Sequence, residues 1–259
     1  MIVIKFGGNA LSQSSGNLWL DRVAEWQKRG TKLILTHGGG PQIDAELSLH
    51  GVARNFIEGY RFTDAKTMQI VEMVLSGIAQ NLVRELRARN VSAVSLSGND
   101  GGLFEVSIKR SPTGRDLGQV GEVRSVSVGI INTLINESFL PVITSISSTS
   151  EGLGVNVNAD LAAGALAGAV SAEKVIFMTD VKGIYRRYPD EASLIPSCSK
   201  SELEELLPEM SEGMIPKVEA VIQAINQGAK SAQIIDGRTA DALTLALQGD
   251  AVGTLVHHG

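Results

Sequence analysis

A chain of 259 residues with 43% hydrophobic content is long enough for one large α/β domain or two close-packed lobes. Its net charge of −5, with no basic run, argues against a nucleic-acid surface. The single cysteine, Cys198, excludes an internal disulfide and fits a reducing compartment. No apolar segment reaches the roughly 20 residues that span a bilayer, and the first apolar run is broken at Lys5, as a signal peptide would not be. A cytoplasmic protein with no membrane partner is expected. Aromatics are scarce at 4% while 28 residues are glycine, which favours a sheet crossed by glycine loops over an aromatic-cored sandwich.

Residues 2–8 read Ile-Val-Ile-Lys-Phe-Gly-Gly. The continuous apolar start predicts a strand buried on both faces. Lys5 interrupts it, and a buried lysine is costly without a negative partner. Gly7 and Gly8 let the backbone turn and approach a ligand closely. Two readings stand side by side: a cation carried by a central strand toward something anionic, or a snorkelling lysine on an edge strand. A helix is predicted over 17–29, stopped by Gly30, and a second strand over 32–36. That strand runs into His37-Gly38-Gly39-Gly40-Pro41, where open backbone N–H groups at a helix start suit an anion. His37 reads as structural. The helix continues over 43–50, a small hairpin follows over 54–62, and Thr63-Asp64 caps a long helix from 65 to about 89. Arg61, beside a glycine loop in an acidic protein, is a candidate for holding a carboxylate.

Further strands are predicted over 93–96 and 140–145, with a helix over 128–137 between them. Residues 103–108 and 120–126 read as a hairpin with an exposed, mobile turn over 111–118. The loop 97–102 lacks the Lys-[Ser/Thr] end of a P-loop. Asn156-Val157-Asn158-Ala159-Asp160 places two amides and a carboxylate at alternating positions, on one side if the segment is extended. Asp160 also fits a helix N-cap. An Ala- and Gly-rich segment over 161–170 can pack tightly on a sheet. Beyond 172 come a strand at 174–179, a polar loop over 185–196 and a helix over 199–207 capped by Ser199. A helix over 218–227, strands at 232–235 and 253–256, and a helix over 240–247 complete the pattern. Lys217 falls in the first turn of its helix, where a lysine opposes the dipole unless an anion is near.

The resulting constellation is Lys5, Gly7, Gly8, Gly38, Gly39, Gly40, Arg61, Asn156, Asn158, Asp160 and Lys217. It holds no histidine base, nucleophilic serine or cysteine, or metal cluster. A cationic site rich in backbone donors suits phosphoryl transfer to an acceptor that is already anionic, which needs alignment and charge neutralisation rather than a base.

Eight stretches, in order along the chain, carry a resemblance: Ile-Lys-Phe-Gly-Gly-Asn-Ala (4–10), His-Gly-Gly-Gly-Pro-Gln-Ile (37–43), Arg-Phe-Thr-Asp (61–64), Val-Glu-Met-Val-Leu-Ser-Gly (71–77), Asn-Val-Asn-Ala-Asp (156–160), Thr-Asp-Val-Lys-Gly-Ile (179–184), Gly-Met-Ile-Pro-Lys-Val (213–218) and Ile-Ile-Asp-Gly-Arg (234–238). The chain resembles the amino acid kinase family over essentially its whole length. The resemblance implies a three-layer α/β/α sandwich around a mainly parallel open sheet. It implies an N-terminal substrate lobe over 1–172 and a C-terminal ATP-binding lobe over 173–259, sharing that sheet.

It further implies ATP-dependent phosphorylation of the side-chain carboxylate of N-acetyl-L-glutamate, a step of arginine biosynthesis. By matching motifs, Lys5 and Lys217 would stabilise the transferring phosphoryl group and Asp160 would order them. Gly39, Gly40, Arg61 and Asn156, with Asn158 close by, would hold the acetylated amino acid. Gly7 and Gly8 would approach the phosphates, and Thr179, Asp180, Gly183, Ile184, Gly213, Met214 and Ile215 would line the nucleotide site. Mg²⁺ would be held mainly by ATP and water rather than by protein ligands. The phrase 187–194 resembles kinases of lysine biosynthesis, acting on acetylaminoadipate or a carrier-linked amino acid, which is the alternative substrate reading. The short loop from Glu58-Gly59 to Arg61 favours acetylglutamate. A regulatory amino-acid-binding module without catalysis is the reading from another class; both lysines and Asp160 argue against it. Relatives inhibited by arginine carry an extra N-terminal helix; this chain starts at its first strand, so an arginine-insensitive homodimer is expected.

Overall fold

The protein is described by a computed structural model covering residues 1–7, 18–210, 214–239 and 241–259. Gly8 and Gly213, and the expected helix starts at 17 and 240, lie outside the described residues. In chain order the elements begin with β1 (Ile2–Phe6), α1 (Leu18–Lys28), β2 (Leu33–His37), α2 (Gly40–Leu49), β3 (Phe56–Ile57) and β4 (Tyr60–Arg61). They continue with α3 (Ala65–Ala88), β5 (Ala93–Ser97), β6 (Phe104–Arg110), β7 (Asp116–Val126), α4 (Gly129–Asn136) and β8 (Leu140–Thr144). Next are β9 (Ile146–Ser148), β10 (Gly154–Val157), α5 (Ala159–Ala169), β11 (Lys174–Thr179), β12 (Ile184–Tyr185) and β13 (Leu194–Ile195). The last are β14 (Ser197–Ser199), α6 (Lys200–Leu206), α7 (Ile215–Asn226), β15 (Ser231–Asp236), α8 (Ala242–Gln248) and β16 (Thr254–His257).

The central sheet has eight strands in the order β14-β16-β15-β11-β1-β2-β8-β5. Every pairing is parallel except β15 with β16. The sheet runs unbroken across the expected lobe boundary, because β1 pairs directly with β11, Lys5 opposite Phe177. All five residues of β1, β2 and β8 are buried, as their continuous apolar runs require. Successive side chains on β1 enter opposite cores. Val3 joins a cluster with α4, α5 and α7, while Ile2, Ile4 and Phe6 join one with α1, α3 and α8. The result is an α/β/α sandwich, and Lys5 falls on the α5 face.

Beside this sheet stands a smaller one, β6-β7-β10-β9, which the sequence reading did not separate from its surroundings. The turn between β6 and β7 is exposed over 112–116, as expected, but it is anchored rather than loose. Ser111 is buried and its hydroxyl accepts from the Arg115 N–H at 3.0 Å. Glu58, at the tip of the β3–β4 hairpin, accepts from the Thr113 N–H at 3.2 Å and also from its hydroxyl. The two hairpins therefore brace each other. The expected polar loop over 185–196 holds the short β12–β13 hairpin. Two caps match the sequence: Asp64 accepts from the Thr67 N–H at 2.7 Å, and Ser199 forms a capping box with Glu202.

Helices α5 and α7 approach through small residues. A Cβ at Gly164 would lie 2.7 Å from the Ala220 carbonyl oxygen. This contact sets the distance between Asp160 at the start of α5 and Lys217 at the start of α7. Gly164→Ala forces the helices apart and lowers stability by about 1–3 kcal/mol, the usual cost of overpacking. Urea denaturation checks this: an unchanged midpoint contradicts the packing account.

Candidate active site

Open α/β sheets bind ligands beyond the carboxyl ends of their strands, where the strand order reverses. That point here is β1, flanked by β2 on one side and β11 on the other. A cleft of about 400 Å³ opens there. It gathers Lys5, Gly7, Gly39, Gly40, Arg61, Asn156, Asn158, Asp160, Thr179, Asp180 and Lys217 from seven different elements and their flanks. Three helices start at its wall: α2 at Gly40, α5 at Ala159 and α7, whose first turn carries Lys217. All three turn the positive end of their dipole toward it, although Asn158 already caps α5 and the Lys217 N–H donates to the Met214 carbonyl. The cleft is thus built for anions.

Lys5 Nζ lies 2.6 Å from Asp160 Oδ1, and both side chains are about nine-tenths buried. Asp160 Oδ1 has no aligned hydrogen-bond donor among the described residues, so the contact is a close ion pair. Burying either charge alone would be strongly unfavourable; together, with Asp160 at a helix N-terminus, they are stable. This resolves the two readings of Lys5 in favour of a central-strand cation.

The stretch 156–160 is not extended throughout. β10 ends at Val157, and Asn158 rather than Asp160 caps α5. Asn158 Oδ1 accepts from the N–H groups of Asp160 at 2.9 Å and Leu161 at 3.2 Å. Its carbonyl oxygen is committed to the helix, leaving the amide NH₂ to offer. Asn156 Nδ2 reaches Thr63 Oγ1 at 3.5 Å, and that hydroxyl donates to the Arg61 carbonyl at 2.9 Å. Fully buried Thr63 therefore ties the β10 amide to the β4 arginine.

Arg61 does hold a carboxylate, and it belongs to the protein. Asp44 on α2 lies 2.6 Å from Arg61 and 3.3 Å from Arg54. The Arg61 guanidinium also stacks 4.8 Å over Phe56. Two arginines on one carboxylate leave a net positive charge at this end of the cleft. Asp44 escaped the sequence reading; its signal was a carboxylate one helical turn beyond the glycine loop. Gly39 is seated against α3, where a Cβ would lie 2.7 Å from Ile78 and 2.8 Å from Leu75.

Four expected nucleotide-site residues do not line the cleft. Ile184 is fully buried and Met214 nearly so, both in the α5–α7 core. Gly183 packs beneath Thr254, and Ile215 begins α7. Gly8 and Gly213 lie outside the described residues. No cluster of three or more His, Cys, Asp or Glu able to hold a metal occurs among the described residues, and none of the described helices is long and apolar enough to cross a membrane.

His37 ends β2 fully buried, its Nδ1 3.1 Å from the Gly38 carbonyl oxygen. A carbonyl only accepts, so Nδ1 carries the proton and Nε2 is bare. Nε2 has no hydrogen-bond partner among the described residues. Burial drives the imidazole pKa from 6.5 down to about 4, against the pull of the Gly38 carbonyl and with help from the Lys5 charge.

The amino acid kinase family profile matches residues 1–236. An acetylglutamate kinase from Prochlorococcus marinus (strain NATL1A) is 41% identical over 260 residues, covering 98% of this chain and 84% of that protein. One from Nocardia farcinica (strain IFM 10152) is 38% identical over 264 residues, covering 99% and 86%. Among solved structures, N-acetylglutamate synthase from Neisseria gonorrhoeae, complexed with coenzyme A and N-acetyl-glutamate, superposes with a TM-score of 0.87 at 20% identity. That match covers 99% of this chain and 59% of the other, and it bears on the fold alone.

The depressed His37 pKa has a stability consequence. The unfolded chain binds the extra proton from pH 6.5 downward, and the folded protein only near pH 4. Its contribution is complete above pH 6.5 and falls by about 3 kcal/mol as the pH drops to 4. Urea midpoints measured across that window in the wild type and in His37→Asn should show a shallower acid dependence in the variant. Equal slopes would mean His37 does not titrate as described.

Proposed function

Since the chain belongs to the amino acid kinase family, we propose that it phosphorylates the side-chain carboxylate of N-acetyl-L-glutamate with ATP, a step of arginine biosynthesis. The observation that carries this reading is the buried Lys5–Asp160 pair in the same cleft as Lys217, with Arg61 and Asn156 also on its wall. Relatives named acetylglutamate kinase, similar over nearly the whole chain, supply the substrate.

In this reading the ionised carboxylate attacks the γ-phosphorus of ATP. A new O–P bond forms, the bond to the β-bridging oxygen breaks, and ADP leaves with that electron pair. No proton has to be removed, which suits a site whose one nearby imidazole is neutral and turned toward a backbone carbonyl. Lys5 and Lys217 neutralise the equatorial oxygens as phosphate and carboxylate are pressed together. Asp160 aims Lys5. Arg61, steadied by Asp44 and Phe56, takes the α-carboxylate, and Gly39, Gly40, Asn156 and the Asn158 amide hold the rest of the acetylated amino acid. Gly7, Thr179 and Asp180 face the phosphates.

The donor set fits ATP: two lysines and the positive end of a helix dipole can meet phosphate charge. Mg²⁺ would sit between phosphate oxygens and water, and its charge would offset that of the phosphates. Residues 1–172 then serve the amino acid and 173–259 the nucleotide. A cytoplasmic homodimer completes the proposal.

The test is formation of an acyl phosphate trapped as hydroxamate, with ATP–Mg²⁺ and either N-acetyl-L-glutamate or N-acetyl-2-aminoadipate. Preference for N-acetylglutamate is the expected result. Preference for the longer acid would move the chain to lysine biosynthesis, and turnover of neither would overturn the reading.

A further inference from the structure

Behind the cleft lies a second cavity of about 340 Å³, between the β6–β7 hairpin and helices α5 and α7. The two spaces share only Tyr60 and Val157 on their walls. Val157 is buried in β10, whereas Tyr60 is half-buried on β4, next to Arg61. The Tyr60 ring is held in place. Lys109 Nζ lies 5.1 Å over it and 3.5 Å from Glu122. Its hairpin is latched to the β6–β7 turn through Glu58 and Thr113, and the Thr63 N–H donates to the Leu117 carbonyl at 3.0 Å. Tyr60 is a braced partition, not a loose surface ring.

We infer that Tyr60 sets the length of the N-acyl group this protein accepts, and that the pocket beyond it is a subsite a longer, uncharged acyl chain would reach only past the Tyr60 ring. The inference rests on the proposed function. With the reacting carboxylate at Lys5 and Lys217 and the α-carboxylate at Arg61, the substituents on the α-carbon lie beside the residue adjacent to Arg61. An acetyl group ends at the Tyr60 ring; a longer acyl chain would run into it. Beyond the ring, Val123, Val157 and Leu161 offer apolar walls, while Glu122 and Glu219 disfavour a chain ending in a carboxylate. Tyr60 likewise closes the path that a carrier-linked amino group would need.

The experiment compares kcat/KM for N-acetyl-, N-propionyl-, N-butyryl- and N-succinyl-L-glutamate in the wild type, Tyr60→Phe and Tyr60→Ala, with hydroxamate trapping. Each methylene added against a closed wall costs on the order of 10-fold or more. The wild type and Tyr60→Phe should therefore prefer acetyl over butyryl on the order of 100-fold. Tyr60→Ala should narrow that ratio at least about 10-fold while still rejecting succinyl. Adding Leu161→Phe to Tyr60→Ala, which fills the cavity, should restore the preference. An acetyl-to-butyryl ratio unchanged in Tyr60→Ala, or a Leu161→Phe addition without effect, overturns the inference. If Tyr60→Ala loses turnover altogether, calorimetric Kd values for the acetyl and butyryl compounds are read by the same criterion. A wild type inactive with all four compounds would instead overturn the functional reading itself.

Discussion

A lysine buried in a central strand is tolerable only if a carboxylate meets it. The Lys5–Asp160 contact at 2.6 Å is that meeting, and much of the fold serves to arrange it. β1 supplies the cation in register between β2 and β11. β10 and its cap residue Asn158 turn the chain so that α5 begins with the carboxylate pointing at β1. The Ala- and Gly-rich body of α5 lets it lie close to the sheet on one side and to α7 on the other. Through that second contact Lys217 reaches the same cleft. The pair is therefore both a structural necessity and the feature that fixes where the Lys5 cation sits in the cleft.

The other end of the cleft repeats the device with weaker burial. Asp44 restrains Arg61 and Arg54 together, so one carboxylate serves two guanidinium groups and leaves charge over. Thr63 and Phe56 fix the arginine from the side and from below. Between the two ends, the glycine start of α2 and the Asn156 and Asn158 amides line the cleft. His37 stays neutral beneath them, so its burial adds no third cation to the Lys5 neighbourhood. The cleft is preorganised for an anionic acceptor and an anionic donor at once, which is the demand of carboxyl phosphorylation.

The parts of this arrangement visible in the sequence were those written as local pattern. Continuous apolar runs marked β1, β2, β8 and β11, and glycine at 38–40 after β2 marked the anion-facing loop. Lys217 betrayed itself as a lysine in the wrong turn of a helix. The parts that escaped depend on contacts between distant segments. Asp44 gains meaning only when β4 folds onto α2, 17 residues later in the chain. The 111–118 turn has a loop's composition, yet Glu58 pins it from another hairpin. The extended reading of 156–160 failed because Asn158 prefers to cap a helix, a local competition that alternation alone does not reveal. Tyr60 carried no signal in the sequence, because its place between two pockets depends on the β6–β7 hairpin folding beside it.

The central claim is that Asp160 acts on the reaction through Lys5. A double-mutant cycle on kcat tests it, using Lys5→Met, Asp160→Asn and the double variant, each checked for folding by circular dichroism. The account predicts that Lys5→Met slows turnover on the order of 10²–10³-fold. It also predicts that Asp160→Asn slows the wild type but adds almost nothing once Lys5 is gone. A double variant slowed by the product of the two single effects would mean that Asp160 has a role of its own, and would contradict the account.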